Sequence, residues 1–264
     1  MSEIAFYVCY LFIVILIVTS YTDIIGICSE TIQKLNDFMN LLIPLILALL
    51  VVNGSIVTVG MLQPVLLVMI SMINFTISKI ILPVLFLSTM IELVSNIAEN
   101  IDISKLPQFL QKVSMWSLEF MIVIFVGILS IEGTLAANVD GVTAKGAKAV
   151  VSTVIPVVGK ALSDATDSIL GAASITKNAI GVLGVLVILS ISLIPMIKVI
   201  VLMLIYQLGA AFIEPIVDKR ISKCMTKMGE SIKMVVAVLG TTSILFIIAT
   251  TLMIKMGNFT TMYR

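Results

Sequence analysis

The stretch FMNLLIPLILALLVVNGSIVTVGMLQPVLLVMISMINFTIS, from Phe38 to Ser78, contains 41 residues and no charged side chain. A helix that crosses the hydrocarbon core of a bilayer needs about 20 consecutive apolar residues, so this run suffices for two crossings, or for one crossing and a re-entrant piece. We expect its break either at Asn53-Gly54-Ser55 or between Gly60 and Pro64, because both places carry turn residues. The run is far too long for a barrel strand and therefore predicts membrane helices.

The rest of the chain has a similar character. Of its 264 residues, 60% are hydrophobic and only 12% are charged, with a mean hydropathy of +1.21. Soluble domains carry about 25% charged residues, so most of this surface must face lipid. Further apolar runs are Ile4–Thr22, Ile80–Ile91, Phe120–Ile131, Ile180–Ile197, Val199–Ile213 and Met234–Ile254. We predict an all-α, polytopic integral membrane protein with about six to eight membrane-embedded helices, some of them amphipathic or re-entrant.

The first run, Ile4–Thr22, is expected to be a retained membrane helix. A secretory signal peptide has a basic start and a small-residue cleavage site. Here no Lys or Arg precedes the run, and Glu3 is acidic.

Composition also excludes several functional classes. The net charge of +1 does not indicate nucleic-acid binding, and histidine is absent. The three cysteines (Cys9, Cys28 and Cys224) are widely separated and suggest neither a metal site nor a disulfide framework. We find no phosphate-binding loop, nucleophile elbow or metal cluster, and so expect no enzyme activity, no catalytic or metal-ligating residues and no cofactor.

Two regions are predicted. Residues 1–116 would hold N-terminal hydrophobic helices and an amphipathic connector (94–116) on the membrane interface, with Trp116 at its edge. Residues 117–264 would form a C-terminal membrane domain, which includes a polar-striped segment rich in small residues (143–178).

The polar stripe is the main candidate for function. Its members recur at the three- and four-residue spacing of one helix face. The candidate pore-lining residues are Lys160, Ser163, Asp164, Asp167, Ser168, Gly171 and Ser174, and the spacing continues to Lys177 and Asn178. The stripe is consistent with a water-filled path, with an interfacial helix whose polar face is in water, or with a helix–helix interface. A nearby pair, Gly181 and Gly184, predicts close helix packing.

Isolated charges near the apolar runs allow two interpretations. Glu92, Glu119, Glu132 and Lys79 could be buried ion-pathway residues, or they could reach the interface from segment ends. Lys198, close to Pro195, is either a functional charge at a mid-membrane break in a helix or the tip of a hairpin in water.

The most basic segment, 218–233, is assigned to the cytoplasm by the positive-inside rule. It supplies a candidate partner loop, Lys219, Arg220, Lys223 and Lys227. If the region around Pro195 is a hairpin, residues 133–177 lie on the same side as this segment; if it is one bent helix, they lie on the opposite side.

Three long strings resemble the stage III sporulation protein AE family of endospore-forming bacteria. They are VVGKALSDATDSILGAASITKNAIGVLG (157–184), IPMIKVIVLMLIYQLGAAFIEPIVDKRISKCMTKMGES (194–231) and MIKMGNFTTMYR (253–264). The resemblance implies a multi-pass protein of the mother-cell membrane around the forespore, within a channel complex that connects the two cells. Implied partners are other proteins of the same operon, including a secretion-type ATPase. Members usually begin with a signal-like segment and a polar extracytoplasmic region, whereas here Met1 leads almost directly into an apolar run.

The function that we predict is the membrane core of this channel or secretion complex, as a pore-forming homo-oligomer in the lipid bilayer. One chain offers too few polar faces to enclose a wide pore, which is why several copies are expected. The alternatives are a transporter permease, whose substrate site would need a broken helix such as Pro195–Lys198, and a scaffold that conducts nothing.

Overall fold

The computed structural model describes the backbone of residues 3–95, 105–154 and 158–262, and the side chains of residues 8–95, 105–131 and 168–255. All regular structure within these ranges is helical. The helices are α1 (Glu3–Val52), α2 (Ile56–Thr76), a π-helical turn (Ile77–Ile81), α3 (Leu82–Ser95), α4 (Lys105–Val154), α5 (Val158–Ile213) and α6 (Lys219–Met262).

Five stretches of the described residues are long and apolar enough to cross a membrane. They are Val8–Val52, Ile56–Ser95, Lys105–Ile131, Ser168–Ile213 and Lys219–Lys255. The prediction of an all-α, polytopic membrane protein is confirmed, but five is fewer than the expected six to eight. The sequence count was too high because Lys79 and Lys198 separate apolar runs without ending a helix.

The break in the uncharged stretch lies at Asn53-Gly54-Ser55, the first of the two expected places. Gly54 has a φ of 84°, a conformation that glycine adopts without strain from a side chain. Its N–H donates to the carbonyl of Val51 (2.9 Å) and the Ser55 N–H to that of Leu50 (3.0 Å), which is the Schellman pattern that ends α1. The other place, from Gly60 to Pro64, is helical and belongs to α2.

The π-helical turn joins α2 to α3 without a break. The Leu82 N–H donates to the carbonyl of Ile77, five residues back. Pro83 has no N–H, and its ring would crowd the carbonyl of Lys79 in a regular helix. A wider turn just before the proline relieves this crowding.

Helix α5 continues through Pro195, so the region is one helix and not a hairpin. Lys198 therefore lies inside α5, where it is exposed, and not at a hairpin tip. Likewise, residues 105–116 are the first turns of α4 and not a separate connector, and the expected boundary between residues 116 and 117 falls inside this helix. The two-region division stays a prediction.

The chain divides into two compact units, and each unit contains parts of several helices. The first unit comprises Met1–Lys34, Ile73–Met121 and Ile191–Ser243; the second comprises Leu35–Met72, Ile122–Ser190 and Ile244–Arg264. In the first unit, the buried ring of Tyr21 stacks on Phe86, with ring centroids 6.1 Å apart. In the second unit, buried Thr250 contacts the sulfur of Met39.

Candidate functional site

The residues of the predicted polar stripe all fall within α5, but only some of their side chains can be placed. Lys160, Ser163, Asp164 and Asp167 precede residue 168, so their side chains lie outside the described residues. Of the remaining members, Ser168 and Gly171 are exposed and Ser174 is half-buried. Ser168 and Gly171 are therefore accessible on the surface of α5, whereas Ser174 is partly covered.

The stripe borders the packed face of α5. The most apolar 18 residues of Ser168–Ile213 have a mean hydropathy of 2.7, the highest of the five candidate spans. Only 17% of these residues are buried. The buried positions, which include Lys177, Ile188 and Val199, follow one side of the helix. Large apolar side chains such as Ile169 and Ile175 are 63% and 72% exposed. From Ser168 to Ile213, most of the surface of α5 is thus available to lipid, to water or to another protein.

Lys177 does not belong to the exposed stripe, although its spacing fits. Its side chain is fully buried, and its Nζ donates a hydrogen bond of 2.9 Å to the carbonyl oxygen of Ile254 in α6. A charged donor makes a strong hydrogen bond with such an acceptor. Lys177 therefore links α5 to α6 within the second unit.

Two glycines permit the close packing of α5 that their spacing predicted. A Cβ atom added at Gly181 would overlap Cδ1 and Cγ1 of Ile254, and one added at Gly184 would lie 2.8 Å from Cδ2 of Leu42. No real Cβ atom tolerates such distances, so both positions require a residue without a side chain unless a neighbour shifts. The predicted close helix packing at Gly181 and Gly184 is confirmed. Gly171, in contrast, has no atom within 4 Å of an added Cβ.

Glu92 is a buried charge with partners on two other helices. Only 6% of the residue is exposed. Its Oε1 lies 3.4 Å from the Nζ of Lys227 in α6, and its Oε2 accepts a hydrogen bond of 3.3 Å from the Nε2 of Gln111 in α4. Lys227 also pairs with Oε2 of Glu230 at 2.8 Å. One turn away, the hydroxyl of Ser88 donates to the carbonyl of Pro107 (2.8 Å), which fixes α3 against α4 a second time.

The sequence singled out Glu92 but not its partners. It allowed two interpretations, an ion-pathway residue or a side chain that reaches the interface, and the structure instead pairs the carboxylate inside the first unit. Glu119, Lys79 and Lys198 are exposed, and the side chain of Glu132 lies outside the described residues.

The four residues of the expected partner loop lie in the first turns of α6 rather than in a loop. The connection between α5 and α6 is the short turn before Lys219, and the Asp218 carboxylate accepts a hydrogen bond of 2.9 Å from the backbone N–H of Arg220. Lys219 and Lys223 are exposed, and Arg220 is half-buried. Lys227 forms an ion pair with Glu92 of the same chain.

Among the described side chains, no group of three or more His, Cys, Asp or Glu residues could hold a metal ion. Cys28 and Cys224 are buried as free thiols, and Cys9 is exposed.

Comparison with known proteins gives one consistent match. The family model for stage III sporulation protein AE matches residues 1–257. The stage III sporulation protein AE of Bacillus subtilis (strain 168) is 33% identical over 263 residues, which cover 100% of this chain and 66% of that protein. The chain thus spans just under two thirds of the length of this relative. No solved structure matches. With a family match over nearly its whole length and helices that can cross a membrane, the chain belongs to the stage III sporulation protein AE family, a family of sporulation proteins.

Proposed function

We propose that this protein is the membrane core of a multiprotein channel or secretion complex that links the mother cell and the forespore during endospore formation. It acts as a homo-oligomer in the mother-cell membrane around the forespore, together with other proteins of the sporulation channel operon. Family membership supports the role in sporulation, and the helices support the membrane location.

The observation that carries the channel proposal is the exposure of the α5 stripe. Ser168 and Gly171 are exposed, and by their spacing positions 164 and 167 fall on the same face of the helix. Charged and polar groups at membrane depth face water or one another, because exposure to hydrocarbon is costly. Since Ser168 and Gly171 are exposed in the single chain, several copies would enclose the stripe around an aqueous path.

The test is cysteine accessibility along α5. In a variant with Cys9, Cys28 and Cys224 replaced by serine, Gly171→Cys is expected to react rapidly with a membrane-impermeant thiol reagent in reconstituted vesicles. The matched control is Ile169→Cys, since Ile169 is also exposed, lies within one turn and points to nearly the opposite side of the helix. In the proposed oligomer this position contacts lipid and reacts slowly. Equal reactivity of the two cysteines contradicts a pore-lining stripe.

Charge reversal tests the part of the stripe nearer to the start of α5. Asp164→Lys together with Asp167→Lys should disturb conductance in planar bilayers and lower sporulation efficiency. Unchanged sporulation and channel assembly in this variant would remove Asp164 and Asp167 from the path.

The two alternative functions make different predictions. A permease was expected to use a broken helix at Pro195–Lys198, and α5 is continuous there, so this hypothesis has lost the feature that it needed. A scaffold would hold partners together without conducting. Absence of any conductance from reconstituted oligomers would favour the scaffold over the channel.

A further inference from the structure

Exposed lysines at the starts of α4 and α6 lie at one level of the first unit. Gln111, in the second turn of α4, hydrogen-bonds one oxygen of Glu92, and Lys227, in the third turn of α6, pairs with the other. Lys112 directly follows Gln111, and Lys223 lies one turn before Lys227; both are exposed. Because a single carboxylate contacts both helices, it sets Lys112 and Lys223 at a similar depth.

The ends of helices mark this level as a boundary of the apolar spans. Glu92 lies in the last turn of α3, which ends at Ser95. The partner side chains come from the opening turns of α4 and α6, and α5 ends at Ile213, shortly before α6 begins. A spanning helix enters or leaves the hydrocarbon at its ends, so this level fits the headgroup region of one leaflet.

The exposed face of α4 has the composition of that region. Phe109 and Trp116 are 63% and 66% exposed and lie on the same side of the helix as Lys112. The buried side carries the polar residues Gln111 and Ser114. A helix in water shows the reverse order, with its apolar residues inside. Aromatic rings interleaved with lysines are typical of the boundary between headgroups and acyl chains.

The start of α6 repeats this combination. Phe212 and Ile216 are 76% and 83% exposed and lie shortly before the exposed residues Lys219 and Lys223. Among the described residues nearby, three exposed carboxylates (Glu119, Glu214 and Asp218) face four exposed lysines, and the exposed Glu230 is paired with Lys227. Asp218 also accepts a hydrogen bond from the backbone N–H of Arg220, so the excess of positive charge is small.

We infer that Lys105, Lys112, Lys219 and Lys223 form a basic belt at this end of the first unit and bind the phosphate headgroups of anionic phospholipids. Phe109, Trp116, Phe212 and Ile216 contact the adjoining acyl chains. The partner is a lipid and not an acidic protein, because the lysines lie where helices end and share their exposed surface with large apolar side chains. The belt is independent of whether the α5 stripe lines a pore.

The chain contains a natural reporter for this belt. Trp116 is the one tryptophan of the sequence and lies one turn from Lys112 on the exposed face of α4. The full chain is reconstituted in phosphatidylcholine vesicles, and quenching of Trp116 by brominated phosphatidylglycerol is compared with quenching by brominated phosphatidylcholine. At low salt we expect the anionic lipid to be preferred by about fivefold. This preference corresponds to the attraction of about 1 kcal/mol between one lysine and an anionic lipid surface. High salt should weaken the preference through screening.

Matched variants separate the belt from general charge effects. Lys112→Gln together with Lys223→Gln should bring the two lipids to nearly equal quenching. Lys79→Gln together with Lys198→Gln removes the same charge from exposed positions of the same unit and should keep the preference. All four sites are exposed, so the oligomer size and helix content of both variants should match the unmodified chain.

Three results would overturn the inference. Equal quenching by the two lipids in the unmodified chain would show that the belt does not select anionic headgroups. Failure of either lipid to reach Trp116 would show that protein covers this face. A preference that survives Lys112→Gln with Lys223→Gln would show that these lysines do not bind the anionic headgroups.

Discussion

At the scale of single residues, pairing decides where the polar side chains of this chain can lie. Glu92 and Lys177 are both buried, and each contacts a group on another helix: a lysine and an amide for the carboxylate, a backbone carbonyl for the ammonium. An ion removed from water must recover its lost solvation from such partners. Periodicity assigned Lys177 to a helix face, and Glu92 was predicted only as a charge near the end of an apolar run. Neither prediction could name these partners, because spacing along one helix contains no information about which other helix it meets.

The Glu92–Lys227 pair should contribute measurably to stability. Glu92→Gln is expected to lower the free energy of unfolding by about 1–3 kcal/mol, less than for a fully buried pair, because Lys227 is partly exposed and keeps Glu230. A double-mutant cycle with Lys227→Gln, followed by denaturing-detergent titration, should give a coupling energy of about 1 kcal/mol. The control Glu119→Gln removes an exposed carboxylate from the same unit and should change stability by less than about 0.5 kcal/mol. Strict additivity of the two changes would show that the contact contributes nothing.

At the scale of helices, local chemistry identified some boundaries and missed others. The end of α1 was predictable because Asn53-Gly54-Ser55 contains a glycine that can adopt a positive φ. Charges and prolines were less reliable guides. Lys198 and Pro195 lie inside α5, since a lysine can extend along a helix to polar surroundings and a proline interrupts only one turn of hydrogen bonds. The sequence therefore overestimated the number of helices while it identified their type correctly.

The contact of α5 with α6 depends on Gly181, and a comparison within one helix should show it. Gly181→Ala places a methyl group against Ile254 and should cost about 1–3 kcal/mol by overpacking. Gly171→Ala meets open space on the same helix and should be neutral, or stabilising by up to about 1 kcal/mol through helix propensity. Both are measured by denaturing-detergent titration. Adding Ile254→Ala to Gly181→Ala should cost less than the sum of the two single changes. Equal effects at Gly171 and Gly181 would mean that the helices do not approach closely.

At the scale of the whole molecule, the composition predicts that lipid surrounds most of the chain, but it does not predict how the helices pack. A chain with 12% charged residues cannot cover itself with a hydrated surface, so the prediction of a membrane protein required no knowledge of contacts. The position of the candidate site, in contrast, could be found only from the contacts between helices. Periodicity put Lys177 beside Ser174 on one stripe, yet Lys177 packs inward against α6 while Ser168 and Gly171 face outward. Which side of a striped helix is covered depends on its neighbours, and these come from distant parts of the chain.

The basic belt makes a prediction about sidedness. Because Glu92 holds the starts of α4 and α6 at one level, Lys112 and Lys223 should lie on the same side of the membrane, and the positive-inside rule places that side in the cytoplasm. Lys112→Cys and Lys223→Cys, each in a chain with the three native cysteines replaced by serine, are expressed in intact bacterial cells and treated with an impermeant maleimide.

Both cysteines should stay unlabelled in intact cells and become labelled after permeabilisation. Leu183→Cys, at an exposed position in the apolar part of α5, should stay unlabelled in both conditions, because a thiol in hydrocarbon does not form the reactive thiolate. Labelling of both lysine positions in intact cells would reverse the orientation but keep the belt. Labelling of only one would contradict the shared level, because two side chains aligned by the same buried carboxylate cannot lie on opposite faces of a bilayer whose hydrocarbon core is about 30 Å thick.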